Sequence, residues 1–263
     1  MMWIRYILGI LASLALTLTA FANSSPNPRA KLMLGEYAAA YAEAEQSQTA
    51  DGQALAAEIL LSEIMLGQAK KNKKQAKLAR KIALAALEID PNHQNARLQH
   101  AIADGFVTRE TGNVSAWMKK LPQKTFEIVQ GYREDFPDDP RGDALLGAWH
   151  LAIARKAGNK NAMKWFDASI TQGRDLFLAA RKEQPKDAII GLNYAFSLLA
   201  LKDEDFPDSE EARLILTELN SMTPLDHLGQ RLKAYGEEAL TRIEDRDEAR
   251  EYAEMFLDGK TPE

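Results

Sequence analysis

Four histidines, at positions 93, 100, 150 and 227, are the chain's only imidazoles, so they are the first place to look for chemistry. His93, His100 and Asp104 fall at i, i+7 and i+11, which aligns them on one stripe of a helix where they could hold a metal ion. The competing reading is packing: His100 directly precedes the small residue Ala101, and His150 lies one turn after Gly147 on the inward side of its helix. The chain has no cysteine. That excludes disulfides, thiolate nucleophiles, zinc knuckles, c-type haem attachment, iron–sulfur ligation and a lipid-bearing N-terminal cysteine. There is no G-x-S-x-G elbow, no S-x-x-K, no Walker-type loop and no H-E-x-x-H. These absences remove only the easily recognised enzymes; we assign no catalytic residue, no metal site and no cofactor, and read the chain as non-enzymatic, with an enzyme of unrecognised site as the minor alternative.

Two charge clusters stand out. Lys70, Lys71, Lys73, Lys74, Lys77, Arg80 and Lys81 form a basic run suited to anionic lipid headgroups or an acidic partner, or simply to a solvated turn and helix start. Asp203, Glu204, Asp205, Asp208, Glu210 and Glu211 form an acidic one, without the glycine and distal glutamate of a calcium loop. The net charge of −5 argues against a nucleic-acid partner, which would call for a basic excess.

The N-terminus reads as an address. Arg5 precedes an uncharged run from Ile7 to Thr19, and Ala20-Phe21-Ala22 supplies a small-x-small cleavage site. Thirteen apolar residues make about 20 Å of helix, against about 30 Å of bilayer core. We expect residues 1–22 to be a signal peptide cleaved after Ala22, followed by a linker over 23–29, a soluble domain over 30–257 and a tail over 258–263. Ile189 to Leu201, the most apolar later stretch, is interrupted by Gly191 and Asn193. The expected compartment is a bacterial periplasm, with membrane contact only through an uncleaved signal segment.

Positioning these groups falls to helices. Alanine, leucine, glutamate, lysine and glutamine dominate, and alternating strand patterns are not sustained. Leu78, Ala79, Ile82, Ala83 and Ala86 recur at spacings of three and four, one apolar stripe. Breaks are expected at Asp51-Gly52, Asp90-Pro91-Asn92, Phe136-Pro137, Gln184-Pro185 and Thr223-Pro224, and Asp208-Ser209-Glu210-Glu211 has the spacing of a capping box. Pro91, Pro137, Pro185 and Pro224 are 46, 48 and 39 residues apart, the range of helical-hairpin repeats.

From about Leu60 to His93 the chain resembles a tetratricopeptide repeat: Leu66-Gly67 in a first helix, Ala79, Ala83 and Ala86 in a second, and Asp90-Pro91 at the closing turn. Looser copies place small first-helix residues at Ala101, Gly147, Ala195 and Ala234. Their second-helix partners are Thr125/Val129/Tyr132, Gly173/Phe177/Ala180 and Ala212/Leu216/Leu219. The separations of 12, 24, 26 and 17 residues imply longer helices or joining loops after the first copy. The family's first-helix aromatic is replaced by Glu63, Arg97 and Asp143. The resemblance implies an all-α superhelix of four to five stacked hairpins, with the helix from about Arg246 to Leu257 as a terminal cap.

In that family the first helices line a concave groove. The resemblance thus suggests a protein- or peptide-binding surface at Trp149, Asn193, Tyr194, Gln230, Arg231 and Tyr235, where aromatic anchors stand beside polar groups. Those aromatics could equally pack between hairpins. The leading expectation is an exported scaffold or adaptor for a protein partner. The alternative is a solute-binding accessory of a transporter, with Trp117, Trp149, Trp165 and Phe166 of the enlarged hairpins around a small ligand.

Overall fold

The computed structural model describes residues 27–206 and 209–260, and among them every regular element is a helix. Two short helices, α1 (Pro28–Met33) and α2 (Tyr37–Ala44), lead into a succession of hairpins. The first is α3 (Ala50–Met65) with α4 (Asn72–Ile89). The second runs through α5 (Gln94–Arg109), the short α6 (Asn113–Met118) and α7 (Leu121–Asp135). The third is built the same way from α8 (Pro140–Ala157), the short α9 (Asn159–Phe166) and α10 (Ile170–Glu183). α11 (Ala188–Leu199) with α12 (Glu210–Ser221), then α13 (His227–Arg242) with α14 (Arg246–Leu257), complete the stack. Each hairpin packs on its neighbours, α4 on α5, α7 on α8, α10 on α11 and α12 on α13. The expected signal peptide, residues 1–22, lies outside the described residues.

Proline and side-chain caps set the helix ends. α4, α7, α10 and α12 stop just before Pro91, Pro137, Pro185 and Pro224, because proline has no amide hydrogen to continue the ladder. The helices after them start on side chains that accept orphan amide hydrogens: His93 for Ala96, Asp139 for Arg141, Asp187 for Ile189 and Ile190, and Asp226 for Gly229. Each cap contributes about 1 kcal/mol. Two expected positions move. Asp51-Gly52 is no break; it lies in the first turn of α3, where the Gly52 amide donates to the Thr49 hydroxyl. Leu66-Gly67 lies past the end of α3, not within a first helix. Gly67 has φ +65°, and the amides of Gly67 and Gln68 donate to the carbonyls of Ile64 and Glu63, a Schellman ending. The first hairpin therefore spans both α3 and α4 in full, and its two main helices are as long as those of the second and third hairpins. α12 starts after Ser209, whose side chain makes no capping bond, and Asp208 lies outside the described residues.

Small residues let paired helices approach. Ala79, Ala83 and Ala86 are buried, as are Thr125, Val129 and Tyr132, and Ala212, Leu216 and Leu219. Gly147 and Gly173 meet: a Cβ on Gly147 would stand 2.9 Å from the Gly173 carbonyl oxygen and 2.9 Å from the Phe177 ring. In α13 the small inward residues are Gly236 and Ala239, and Ala234 is exposed. Leu78 is exposed too, so the stripe on α4 is the narrower alanine row. The extra residues of the second and third hairpins form separate short helices, α6 and α9, rather than longer arms.

The stack closes on itself. The Tyr235 hydroxyl, on α13, donates to the Leu66 carbonyl at the end of α3 (3.1 Å), and Tyr37 on α2 meets His227 on α13 at 3.0 Å. Phe256 of α14 packs edge-on against Phe196 (5.0 Å) and Tyr235 (5.4 Å). α14 is thus not a cap on the last hairpin alone; it packs on both α11 and α13, and its C-terminal turn reaches three earlier helices. Asn72 donates to the Gly259 carbonyl, Arg109 to that of Leu257, and Arg155 pairs with Asp258 at 2.7 Å. The boundaries expected at 29 and 258 shift accordingly, since Pro28 and Arg29 already belong to α1 and Asp258 is tied into the body.

Close approach at Gly147 makes a sharp prediction. Gly147→Val should lower unfolding free energy by about 2–3 kcal/mol in urea denaturation, through overpacking. Gly105→Ala, on an α5 position with nothing within 4 Å, should raise it by about 0.5–1 kcal/mol.

Candidate functional site

The six residues expected to form a binding face are not brought together. Trp149, Tyr194 and Tyr235 are buried. The Trp149 indole donates to the Pro122 carbonyl (2.9 Å) and its ring lies 4.8 Å from Phe126. Tyr194 stacks on Phe177 at 4.8 Å and donates its hydroxyl to Glu211. Tyr235 closes the stack as described. Of the polar three, Asn193 bonds back to the Ile189 carbonyl of its own helix, while Gln230 and Arg231 face solvent, with Arg231 5.6 Å above the Tyr235 ring. The physical reason is area: a buried ring removes 150–250 Å² from water, worth about 4–6 kcal/mol at about 25 cal/mol per Å². Neighbouring helices cover these rings, α7 over Trp149, α10 and α12 over Tyr194, and α14 with the end of α3 over Tyr235, so these aromatics are core.

The histidines and buried acids serve the fold. His93 caps α5 with Nδ1 and reaches Asp51 with Nε2 (2.9 Å). Asp104 accepts from Arg80 (3.0 Å) and from the Thr125 hydroxyl (2.8 Å). His100 and His150 are held below the ordinary imidazole value by burial. Among the described residues no three histidines or carboxylates converge as a metal site.

Two clefts open along the edge where second helices turn into the next first helices. One, of about 410 Å³, is polar and lies against the 135–141 turn, with Gln94 and Gln184 at its sides. Its central carboxylate, Asp139, accepts from Gln94 (2.9 Å), from the Arg141 amide and guanidinium, and from the Tyr132 hydroxyl. Burial alone would push the Asp139 carboxyl up; the bonds from Arg141 and Tyr132 outweigh it and hold it at about 2. Such a group neither takes nor gives a proton near neutral pH, so the cleft is a structural knot rather than an acid–base centre.

The other cleft, of about 260 Å³, lies between the start of α11, the end of α12 and the start of α13. Ile189, Leu219, Met222, Leu228 and Leu232 line it, and Leu225 on its rim is 92% exposed. Sequence reasoning missed it. The available signal was Leu225 itself, an apolar residue inside the turn Pro224-Leu225-Asp226, where solvated residues are expected. Neither cleft is lined by Trp117, Trp149, Trp165 or Phe166. No family model matches the chain, and no curated protein is detectably similar to it.

The Asp139 cluster has a pH signature. Its folded-state value of about 2 lies below the ordinary 3.8, so its contribution to stability is present above about pH 4 and drains away as pH falls towards 2. Asp139→Asn should cost about 1–3 kcal/mol at neutral pH. Its urea midpoint should also fall less steeply between pH 4 and 2 than that of the parent chain.

Proposed function

We propose that the chain is an exported helical-repeat adaptor, akin to tetratricopeptide proteins, that binds a protein segment and catalyses nothing. Supporting the repeat reading are the proline-punctuated hairpins and the buried small residues at their crossings. Support for export rests on Arg5, the apolar run from Ile7 to Thr19 and Ala20-Phe21-Ala22.

One observation carries the binding reading: the apolar cleft beside Leu225. Its 260 Å³ falls below the roughly 300–1,000 Å³ that encloses a drug-sized molecule. It suits one or two apolar side chains of a partner, with the rim leucine adding contact as that partner covers it. Excluding water from a side chain of this size is worth about 1.5–3 kcal/mol, the scale of an interface hot spot. The solute-binding alternative finds no comparable support, because Trp117, Trp149, Trp165 and Phe166 enclose neither cleft.

A photo-crosslinking residue at position 225 should yield a discrete adduct with one envelope protein, and the same probe at exposed Leu214 should not. Adding Met222→Asp, which puts a charge in the cleft, should reduce that adduct about tenfold. No adduct, or equal adducts at the two positions, overturns the cleft as the docking site. Export has its own check: chain recovered from periplasm should begin at Asn23 on N-terminal sequencing.

A further inference from the structure

The turns from first to second helices gather on the edge opposite the clefts. The start of α4 and the ends of α5 and α8 all meet the turn after α14: Asn72 at the Gly259 carbonyl, Arg109 at that of Leu257, Arg155 at Asp258. The two short inserted helices, α6 and α9, occupy the same place in successive hairpins on this edge. Each tucks alanine inward, Ala116 and Ala162, and leaves its larger apolar side chains in water. Trp117 is 64% exposed, Met118 73%, Met163 57% and Trp165 58%. Two tryptophan–methionine pairs recur at the same place in successive hairpins, a regularity that scattered exposure does not account for.

Lysine surrounds them. Lys119 and Lys120 follow Met118 directly, Lys160 and Lys164 flank Met163, and the lysines at 70, 71, 73 and 74 stand at the corresponding turn of the first hairpin. All are exposed, and none forms an ion pair with a described carboxylate. Several nearby carboxylates are already engaged, Asp258 by Arg155 and Lys156, Asp203 by Arg246 and Arg250, and Glu110 by Arg109, while Asp205 accepts from the Asn159 amide at the start of α9 and exposed Asp167 follows its end. Unpaired lysine thus gathers at the turns of the first three hairpins on this edge, while the α11–α12 turn beside them carries the acidic residues 203–205.

We propose that this edge docks on an anionic phospholipid surface, with Trp117 and Trp165 in the headgroup layer and the lysines on lipid phosphates. Tryptophan favours that layer because its ring is apolar and its N–H can still find a partner. Lysine favours it because its ammonium stays hydrated while it meets the negative surface. A protein partner fits less well, since protein interfaces are depleted in lysine. No helix among the described residues is long and apolar enough to cross a membrane, so the contact is peripheral. The inference stands independently of the cleft beside Leu225.

The test uses residues 23–263, which contain every contact described above, and vesicles of phosphatidylcholine with or without phosphatidylglycerol. Binding is expected only to the anionic vesicles, weakening as salt is raised. Tryptophan emission should shift to the blue, because Trp117 and Trp165 are exposed and Trp149 is already buried. Trp117→Ala/Trp165→Ala, and separately Lys119→Glu/Lys120→Glu/Lys164→Glu, should each weaken binding about tenfold or more, with melting temperatures kept close to the parent's. Leu214→Ser, an exposed position on α12, should leave it unchanged. No vesicle binding, equal binding to phosphatidylcholine alone, or unchanged binding by both edge variants overturns the proposal. So does capture of a protein that depends on Trp117 and Trp165 while vesicles are ignored.

Discussion

The packing of α14 against α11 and α13 is the constraint on which the rest of the molecule depends. Hairpins alone could stack into an open curve, with the first helices facing a groove. Here Phe256 wedges against Phe196 and Tyr235, and the turn after α14 ties down the start of α4 and the ends of α5 and α8. Tyr235 then reaches Leu66 across 169 residues of sequence. The first and last hairpins are held together.

That closure decides which surfaces remain for recognition. With the candidate aromatics used as core, the two edges of the stack carry the features left for recognition, and helix polarity makes them unlike. One edge carries proline turns and acidic caps such as Asp139, Asp187 and Asp226, whose carboxylates are spent on helix amides. The apolar cleft between α11, α12 and α13 opens there. The other edge carries the inserted helices with their exposed tryptophans and unpaired lysines. A body bound at both edges would hold a partner at a helix length, about 20–25 Å, from a membrane surface.

Much of the local structure was legible because its causes are local. Pro91, Pro137, Pro185 and Pro224 end helices wherever the chain goes, and the crossings at Ala83, Gly147 and Gly173 follow from side-chain size alone. Leu66-Gly67 misled, since a small residue in a crossing and a glycine at a left-handed helix end look alike in sequence; only the φ of +65° separates them. Ala234 misled for a related reason: two residues of register, invisible in a divergent repeat, carry the small position to Gly236.

The candidate binding residues show the boundary most clearly. Trp117, Trp149 and Trp165 are the same residue type in similar helical surroundings, yet Trp149 is buried against Phe126 while the other two stand in water. Composition and spacing by themselves determined an all-helical chain, most of its helix ends and most of its inward faces, because backbone hydrogen bonding and side-chain size act within a few residues. Tertiary structure alone decided which aromatics are core and which are surface. Burial depends on what arrives from elsewhere in the chain: α7 brings Phe126 and the Pro122 carbonyl to Trp149, while Trp117 and Trp165 stay exposed.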